Sequence, residues 1–279
     1  MGKFWLARVF YNDGISGNLT GVIQLESEVE KEQGQSIATR LQLPDTAFIW
    51  GNQSIQHRTF SPYEELTFCT QTLFASAAVQ YGQSIGFARF QYETAAGTAS
   101  VFTQGDGFWW IDASPDLVRP YLNLAVLKKF GIPEGALAGE ICIGGVGRQR
   151  LYIPLATADD LYSIHLIPEM VMQVCTELGI AGISIFAKIS SDYILLRVFT
   201  TSLAGNEDAA TGGAALGLIG YNQYCSYGLS STVRVDQGHR ESTGRGCIYI
   251  KKNLENSCTL LGAKVDVLTE GTIISEKVY

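Results

Sequence analysis

Short apolar, strand-like segments run through this chain from end to end. KFWLARVF near the start, AFIW after Pro44, and VRVDQG, GCIYIKK and AKVDVL near the end all read as strands. Two helix-like stretches each lead into an apolar strand, GQSIATRLQLPDTAFIW in the first half and PEMVMQVCTELGIAGISIFA in the second. Two further runs, LFASAAVQYG and GGAALGLIGY, are apolar on nearly all sides. A surface helix cannot have that pattern, so each run predicts a helix buried within its own domain. Their alanine and glycine content suits a helix closely surrounded by a sheet.

These pieces form an internal repeat. Arg58-Thr59-Phe60-Ser61 in the first half answers Arg197-Val198-Phe199-Thr200 in the second, 139 residues later, and fourteen residues after each arginine stands a threonine, Thr72 and Thr211. Aligned without a gap, the halves put Cys69 opposite Asp208 and share the order helix, strand, strand, helix. The expected fold class is α+β, with two similar domains, each a twisted, mostly antiparallel sheet wrapped around a central helix. The expected halves are 1–120 and 130–260, joined near 116–135, where a Pro-marked turn, LNLAVLKKF and GIPEGA follow one another. The sequence leaves open which sheet the last strands complete, and 260–279 is a candidate to return to the first half. The active site is expected in the cleft between the halves.

Composition agrees with a strand-rich chain: thirteen Tyr, thirteen Phe and 30 Gly among 279 residues. A net charge of −7 with no basic cluster excludes nucleic acid as an expected partner. No apolar stretch reaches membrane-spanning length and the start lacks a signal-peptide pattern, so a cytoplasmic protein without membrane partners is expected. The six cysteines (Cys69, Cys142, Cys175, Cys225, Cys247, Cys258) are scattered, with no CxxC pair, and read as free thiols rather than a zinc site or a disulfide framework. His57, His165 and His239 are too dispersed in sequence for a triad or metal site. Glu64-Glu65 reads as a solvated turn, and Gly144-Gly145-Val146-Gly147 as a turn or bulge, since it matches no phosphate-loop pattern.

A buried helix whose N-terminus opens into a cleft offers unpaired N–H groups and a partial positive charge to a carboxylate. Asp208 and Cys69 stand just before the two small-residue helices. Each has a plain alternative: aspartate caps helices well, and a cysteine is commonly a small buried hydrophobe, though a helix terminus can also activate its thiol. Asp45, in Leu43-Pro44-Asp45-Thr46, is equally a turn former from spacing alone.

Over nearly its full length the chain resembles the PhzF (phenazine biosynthesis F) family. Gly17-Asn18 followed by Val22-Ile23 looks like that family's GNPxAVV segment, and LPDTAFI like its SETAFV segment. FSPYEELTFCTQTLFASAA resembles FTPxxELPFCGHATLGAA, RVFTTSLAGNEDAATGGAA follows RxFxPxxGxxEDPATGSAA, and Gln237-Gly238 with Gly244-Arg245 matches QGxxxGR. The resemblance implies a diaminopimelate-epimerase-like fold, usually a homodimer, acting in biosynthesis or secondary metabolism on a small carboxylate, without metal, nucleotide or pyridoxal phosphate. Carried over by position, it implies Asp45 as proton-shuttling acid and Asp208 as the acid of the second motif. Gly17, Asn18, Cys69, Thr70, Gln71, Thr72, Thr211, Gly212 and Gly213 would line the substrate pocket. The chain departs from the pattern where Asp45 replaces Glu, Gln71 replaces His, and Ala209 and Gly213 replace Pro and Ser. Glutamine cannot exchange a proton near neutral pH. The expected activity is therefore a cofactor-independent isomerase moving a proton by general acid/base catalysis; the alternatives are an epimerase or cyclase, or a non-catalytic binder on the same fold.

Overall fold

The computed structural model describes residues 2–52, 54–82, 84–114, 118–145, 148–242, 244–252 and 259–273. They group into two units, Met1–Asp112 with Gly262–Tyr279, and Ala113–Leu261. Asp116, Val146, Gly147 and Cys258, named above, lie outside the described residues.

The first unit contains β1 (Gly2–Val9), β2 (Asn18–Gln24), α1 (Lys31–Leu41), β3 (Asp45–Trp50), β4 (Ile55–Phe60), β5 (Glu65–Leu66), α2 (Thr70–Tyr81), β6 (Ala88–Thr94), β7 (Gly97–Thr103) and β8 (Phe108–Ala113). The second contains β9 (Arg119–Pro120), α3 (Ala125–Lys129), β10 (Cys142–Gly144), β11 (Arg150–Leu155), α4 (Ala158–Ser163), α5 (Pro168–Leu178), β12 (Gly182–Ser190), β13 (Tyr193–Thr200), β14 (Glu207–Asp208), α6 (Gly212–Cys225), β15 (Thr232–Gln237) and β16 (Gly246–Lys252). β17 (Thr259–Ile273) pairs antiparallel with β1 along Gly2↔Ile273 to Val9↔Val265, so it completes the first unit's sheet.

Both units follow one path. Strand β2 pairs parallel with β3 across α1, and β4 parallel with β6 across α2. In the second unit β11 pairs parallel with β12 across α4 and α5, and β13 parallel with β15 across α6. The intervening β3–β4 and β12–β13 pairs are antiparallel hairpins, and most remaining pairings are antiparallel. The fold is α+β, as the pattern predicts.

Residue chemistry explains the helices. Helix α5 opens on Pro168 and stops at Gly179, whose left-handed backbone (φ 65°) ends it. Helix α2 buries every residue from Thr70 to Ala78 and packs against β1, β2, β3, β6 and β7. Burying Leu73 and Phe74 there contributes about 1.5–3 kcal/mol each. Helix α6 lies so near β11 that a Cβ at Gly217 would overlap the Tyr152 hydroxyl, which instead donates to the Ala214 carbonyl oxygen at 3.2 Å. Only glycine permits that approach. A second-unit core gathers Ile143, Leu151, Ile153, Val171, Ile183 and Phe199, while Ile23, Ala38, Phe48 and Phe60 form a smaller core in the first.

The repeat is real, but its register differs from the gapless one. Phe60 faces Glu65 across the first hairpin, five residues on, whereas Phe199 faces Glu207, eight residues on. The three additional residues accommodate a turn of 3-10 helix, Thr201–Leu203. Beyond it the halves run in step again, with Cys69 as the N-cap of α2 and Thr211 as the N-cap of α6. Cys69 therefore corresponds to Thr211, and Asp208 to Leu66.

Candidate acid/base site

Asp45 opens β3 immediately after the turn at Pro44 and is half-buried. The Cys69 thiol donates to its Oδ2 at 3.5 Å, so the structure brings together two residues that are 24 positions apart in sequence. Burial and the Asp45 charge push the Cys69 pKa well above 9.0, despite the opposing pull of the Thr72 and Gln71 amides at the helix start. Cys69 is accordingly a neutral thiol at physiological pH, not an activated nucleophile.

Gln71 is fully committed inside the first unit. Its Oε1 accepts from Asn18 Nδ2 at 3.0 Å, and its Nε2 donates to the Leu19 carbonyl oxygen at 3.1 Å and to Thr20 Oγ1 at 2.6 Å. It ties β2 to the start of α2, and Asn18 belongs to the same network. Gly17 precedes it with φ +75°, and a Cβ there would meet the Val9 carbonyl oxygen at 2.6 Å, which explains a glycine at this turn. Thr72 Oγ1 lies 2.8 Å from Thr59 Oγ1 and donates to the Cys69 carbonyl oxygen at 3.0 Å. Thr70, the first residue of α2, is buried.

In the second unit Asp208 sits in the two-residue strand β14, just ahead of α6, and Thr211 Oγ1 donates to its Oδ2 at 2.6 Å. It is not the helix cap. Gln237 clasps this turn: its Oε1 accepts from the Thr211 backbone N–H at 2.9 Å and its Nε2 donates to the Asp208 carbonyl oxygen at 2.8 Å. A Cβ at Gly246 would strike Ala210, so the strand after the late QG/GR signature lies against the same turn. Gly212 and Gly213 open α6 behind it, Gly212 buried and Gly213 half-buried. Burial raises the Asp208 pKa from 3.8 to about 6, outweighing the Thr211 hydroxyl, the Ala210 and Ala209 amides and the Arg150 charge, all of which lower it. A carboxyl poised there exchanges a proton readily near neutral pH.

That shift has a consequence for stability. The folded protein keeps the Asp208 proton between pH 3.8 and about 6, where the unfolded chain has released it. The favourable contribution is therefore complete below the lower value and is lost as pH rises through the upper one. At 1.36 kcal/mol per unit, and discounting for partial exposure, wild type should lose roughly 2 kcal/mol across that window relative to Asp208→Asn. Urea unfolding of both proteins at the two ends of the window checks this; parallel pH dependences would refute it.

Several features of the site were missed by sequence reasoning. Arg150, at the start of β11, is 5% exposed and near enough to Asp208 to lower its pKa, yet only its unremarkable RQRL context marked it. Glu65 is not part of a solvated turn: it opens β5 and accepts from Arg58 Nε at 2.7 Å, as Glu207 accepts from Arg197 Nε at 2.9 Å. His165 and His239, distant in sequence, stand with ring centroids 6.3 Å apart at a cavity of about 330 Å³ that Arg197, Phe199 and Glu207 also line. His57 is buried beside Tyr92 and its pKa falls to about 4, so it is neutral. Among the described residues no two cysteines are joined in a disulfide, and burial raises Cys175 and Cys247 to about 11.

Residues 7–269 match the model of the PhzC-PhzF family, described as phenazine biosynthesis-like protein. No curated protein matches the chain closely enough to count as a relative. Among solved structures, a PhzF-family protein of Enterococcus faecalis is 21% identical with a TM-score of 0.75, covering 97% of this chain and 98% of its own. A predicted epimerase of Pseudomonas aeruginosa is 17% identical with a TM-score of 0.84, covering 99% and 100%. A hydroxyproline epimerase of Agrobacterium vitis, with bound trans-4-hydroxy-L-proline, is 8% identical with a TM-score of 0.65, covering 97% and 91%. At these identities the likeness concerns the fold. No helix among the described residues is long and apolar enough to cross a membrane.

Proposed function

The chain belongs to the PhzC-PhzF family of phenazine biosynthesis-like proteins, and from that membership we propose that it is a cofactor-independent isomerase moving a proton on a small carboxylic or amino acid. Asp45 and Asp208 are its acid/base groups. The observation that carries the reading is the half-buried Asp208 carboxyl, lifted to about 6 and held by Thr211 at the start of a buried helix. A group whose pKa lies near the working pH both accepts and returns a proton efficiently. Asp45 stands in the first unit at the start of β3, beside the thiol of Cys69, the N-cap of α2, which donates to it. The substrate carboxylate is bound by the backbone amides that open these helices, where the helix dipole favours negative charge. Gln71, with its amide committed to β2, positions the start of α2 and carries no proton.

The test is incubation of the protein in deuterated solvent with a panel of small carboxylic and amino acids, trans-4-hydroxy-L-proline among them. Mass gain by one deuteron, with the deuterated position identified by NMR, is expected for the true substrate class. Chiral analysis of the product separates epimerisation from isomerisation, and binding without exchange across the panel would leave only a small-molecule binder. The homodimer implied by the family resemblance belongs to the same proposal and is read by light scattering.

Because Cys69 is held as a neutral thiol, Cys69→Ser should retain a substantial fraction of the exchange rate. Its loss should fall well short of the roughly hundredfold that removing a general acid or base brings. Near-total loss in a folded variant would restore a thiol mechanism.

A further inference from the structure

At the far end of α6 from Asp208, about 20 Å along a fourteen-residue helix, the chain brings together three side chains that the acid/base chemistry does not use. Cys225 is the last helical residue, Cys142 opens β10, and Glu140 lies two residues before it. The ligand atoms of all three lie within 4.8 Å of one another. The two sulfurs are 3.9 Å apart although 83 positions separate them in sequence. Cys142 is buried, Cys225 half-buried and Glu140 exposed, so the group is open to solvent on the carboxylate side.

We propose that Glu140, Cys142 and Cys225 form a binding site for a soft divalent cation of the zinc class. Two thiolates about 2.3 Å from a tetrahedral zinc stand about 3.8 Å apart, close to the separation already present. A disulfide needs about 2.05 Å and would require the two side chains to move together. The position also favours a cation electrostatically: α6 carries no basic residue in its last turn, so the partial negative charge of its C-terminus has no cationic side chain from its own final turn. The ligands are held by their surroundings. The Tyr221 hydroxyl donates to the Glu140 carbonyl oxygen at 2.9 Å, and a Cβ at Gly139 would come within 2.9 Å of that hydroxyl. On binding, each thiol gives its proton to solvent and Glu140 supplies a carboxylate oxygen. Solvent takes the fourth position. Cysteine spacing carries no sign of this pair, because the fold and not the spacing unites them.

Cobalt(II) is the probe, since thiolate ligation gives it charge-transfer and tetrahedral ligand-field bands. Chelator-treated, reduced protein should bind one equivalent with both sets of bands, and zinc should bleach them. Cys225→Ser, at a helix end and half-exposed, should abolish the thiolate band of a two-sulfur site. Glu140→Gln, which removes a direct ligand, should weaken binding by at least the roughly ten- to hundredfold that loss of an outer-shell partner costs, and Cys69→Ser should change neither band. Absence of cobalt bands, or their survival in Cys225→Ser with circular dichroism unchanged, would overturn the site. So would a Cys142–Cys225 disulfide found by mass spectrometry in protein that binds no cobalt after reduction.

Discussion

Asp45→Asn should exchange solvent deuterium into substrate about a hundred- to ten-thousand-fold more slowly than wild type, the range that loss of a general acid or base produces. Asparagine keeps the size and polarity of the side chain and removes only its ability to hold a proton. Substrate affinity should therefore change little if, as proposed, backbone amides bind the substrate carboxylate. Asp45→Glu restores the residue of the family motif and should be much less damaging. The Cys69 thiol cannot take over the work, since burial and the Asp45 charge both hold it in the neutral form. Single-turnover exchange by mass spectrometry measures all three proteins. If Asp45→Asn exchanged as fast as wild type, Asp45 would be only a turn residue and Asp208, already lifted to about 6, would carry the reaction alone.

Arg197→Ala should destabilise the second unit by about 3–5 kcal/mol, the cost of breaking a buried ion pair by removing one partner. The guanidinium is 6% exposed and binds Glu207 through two contacts of 2.9 and 2.8 Å. Its Nη1 also donates to the Leu161 and Ile164 carbonyl oxygens at 3.1 and 2.5 Å. Alanine leaves a carboxylate and two carbonyls without these donors. Replacing both ends, Arg197→Met with Glu207→Leu, should cost much less than Arg197→Ala, because no charge is then stranded. All four tryptophans, Trp5, Trp50, Trp109 and Trp110, lie in the first unit. Urea unfolding is therefore followed by far-ultraviolet circular dichroism rather than tryptophan emission. A loss below about 1 kcal/mol would mean that solvent reaches Glu207 and satisfies it.

The elements most legible in the sequence were those with a distinctive periodicity or composition. Helices α2 and α6, apolar on all sides, and the strands beside Arg58 and Arg197 lie where the pattern put them. Register was not legible. Runs of alanine, glycine and threonine look alike when slid by three residues, so Thr72 could be matched to Thr211 while the additional hairpin residues passed unnoticed. Only the pairings Phe60↔Glu65 and Phe199↔Glu207 reveal them. The placing of Asp45 beside Cys69 was likewise hidden, because a strand start and a helix cap carry no sequence mark of their mutual distance. Arg150 stayed out of sight for the same reason: a lone arginine in a strand is ordinarily a surface residue, and its 5% exposure follows from packing.

The pairing of β1 with β17 also sets a timetable. The second unit, Ala113–Leu261, is a continuous stretch lying between the two parts of the first. A chain leaving the ribosome presents Gly2–Val9 well before the strand that covers its outer edge, which emerges only after roughly 150 residues of the other unit. At about 5–20 residues per second that interval lasts on the order of ten seconds. Throughout it, β1 has β2 beside it on one edge and unsatisfied backbone groups on the other, the kind of edge that recruits stray strands. When β17 emerges, it closes the edge that β1 has kept open.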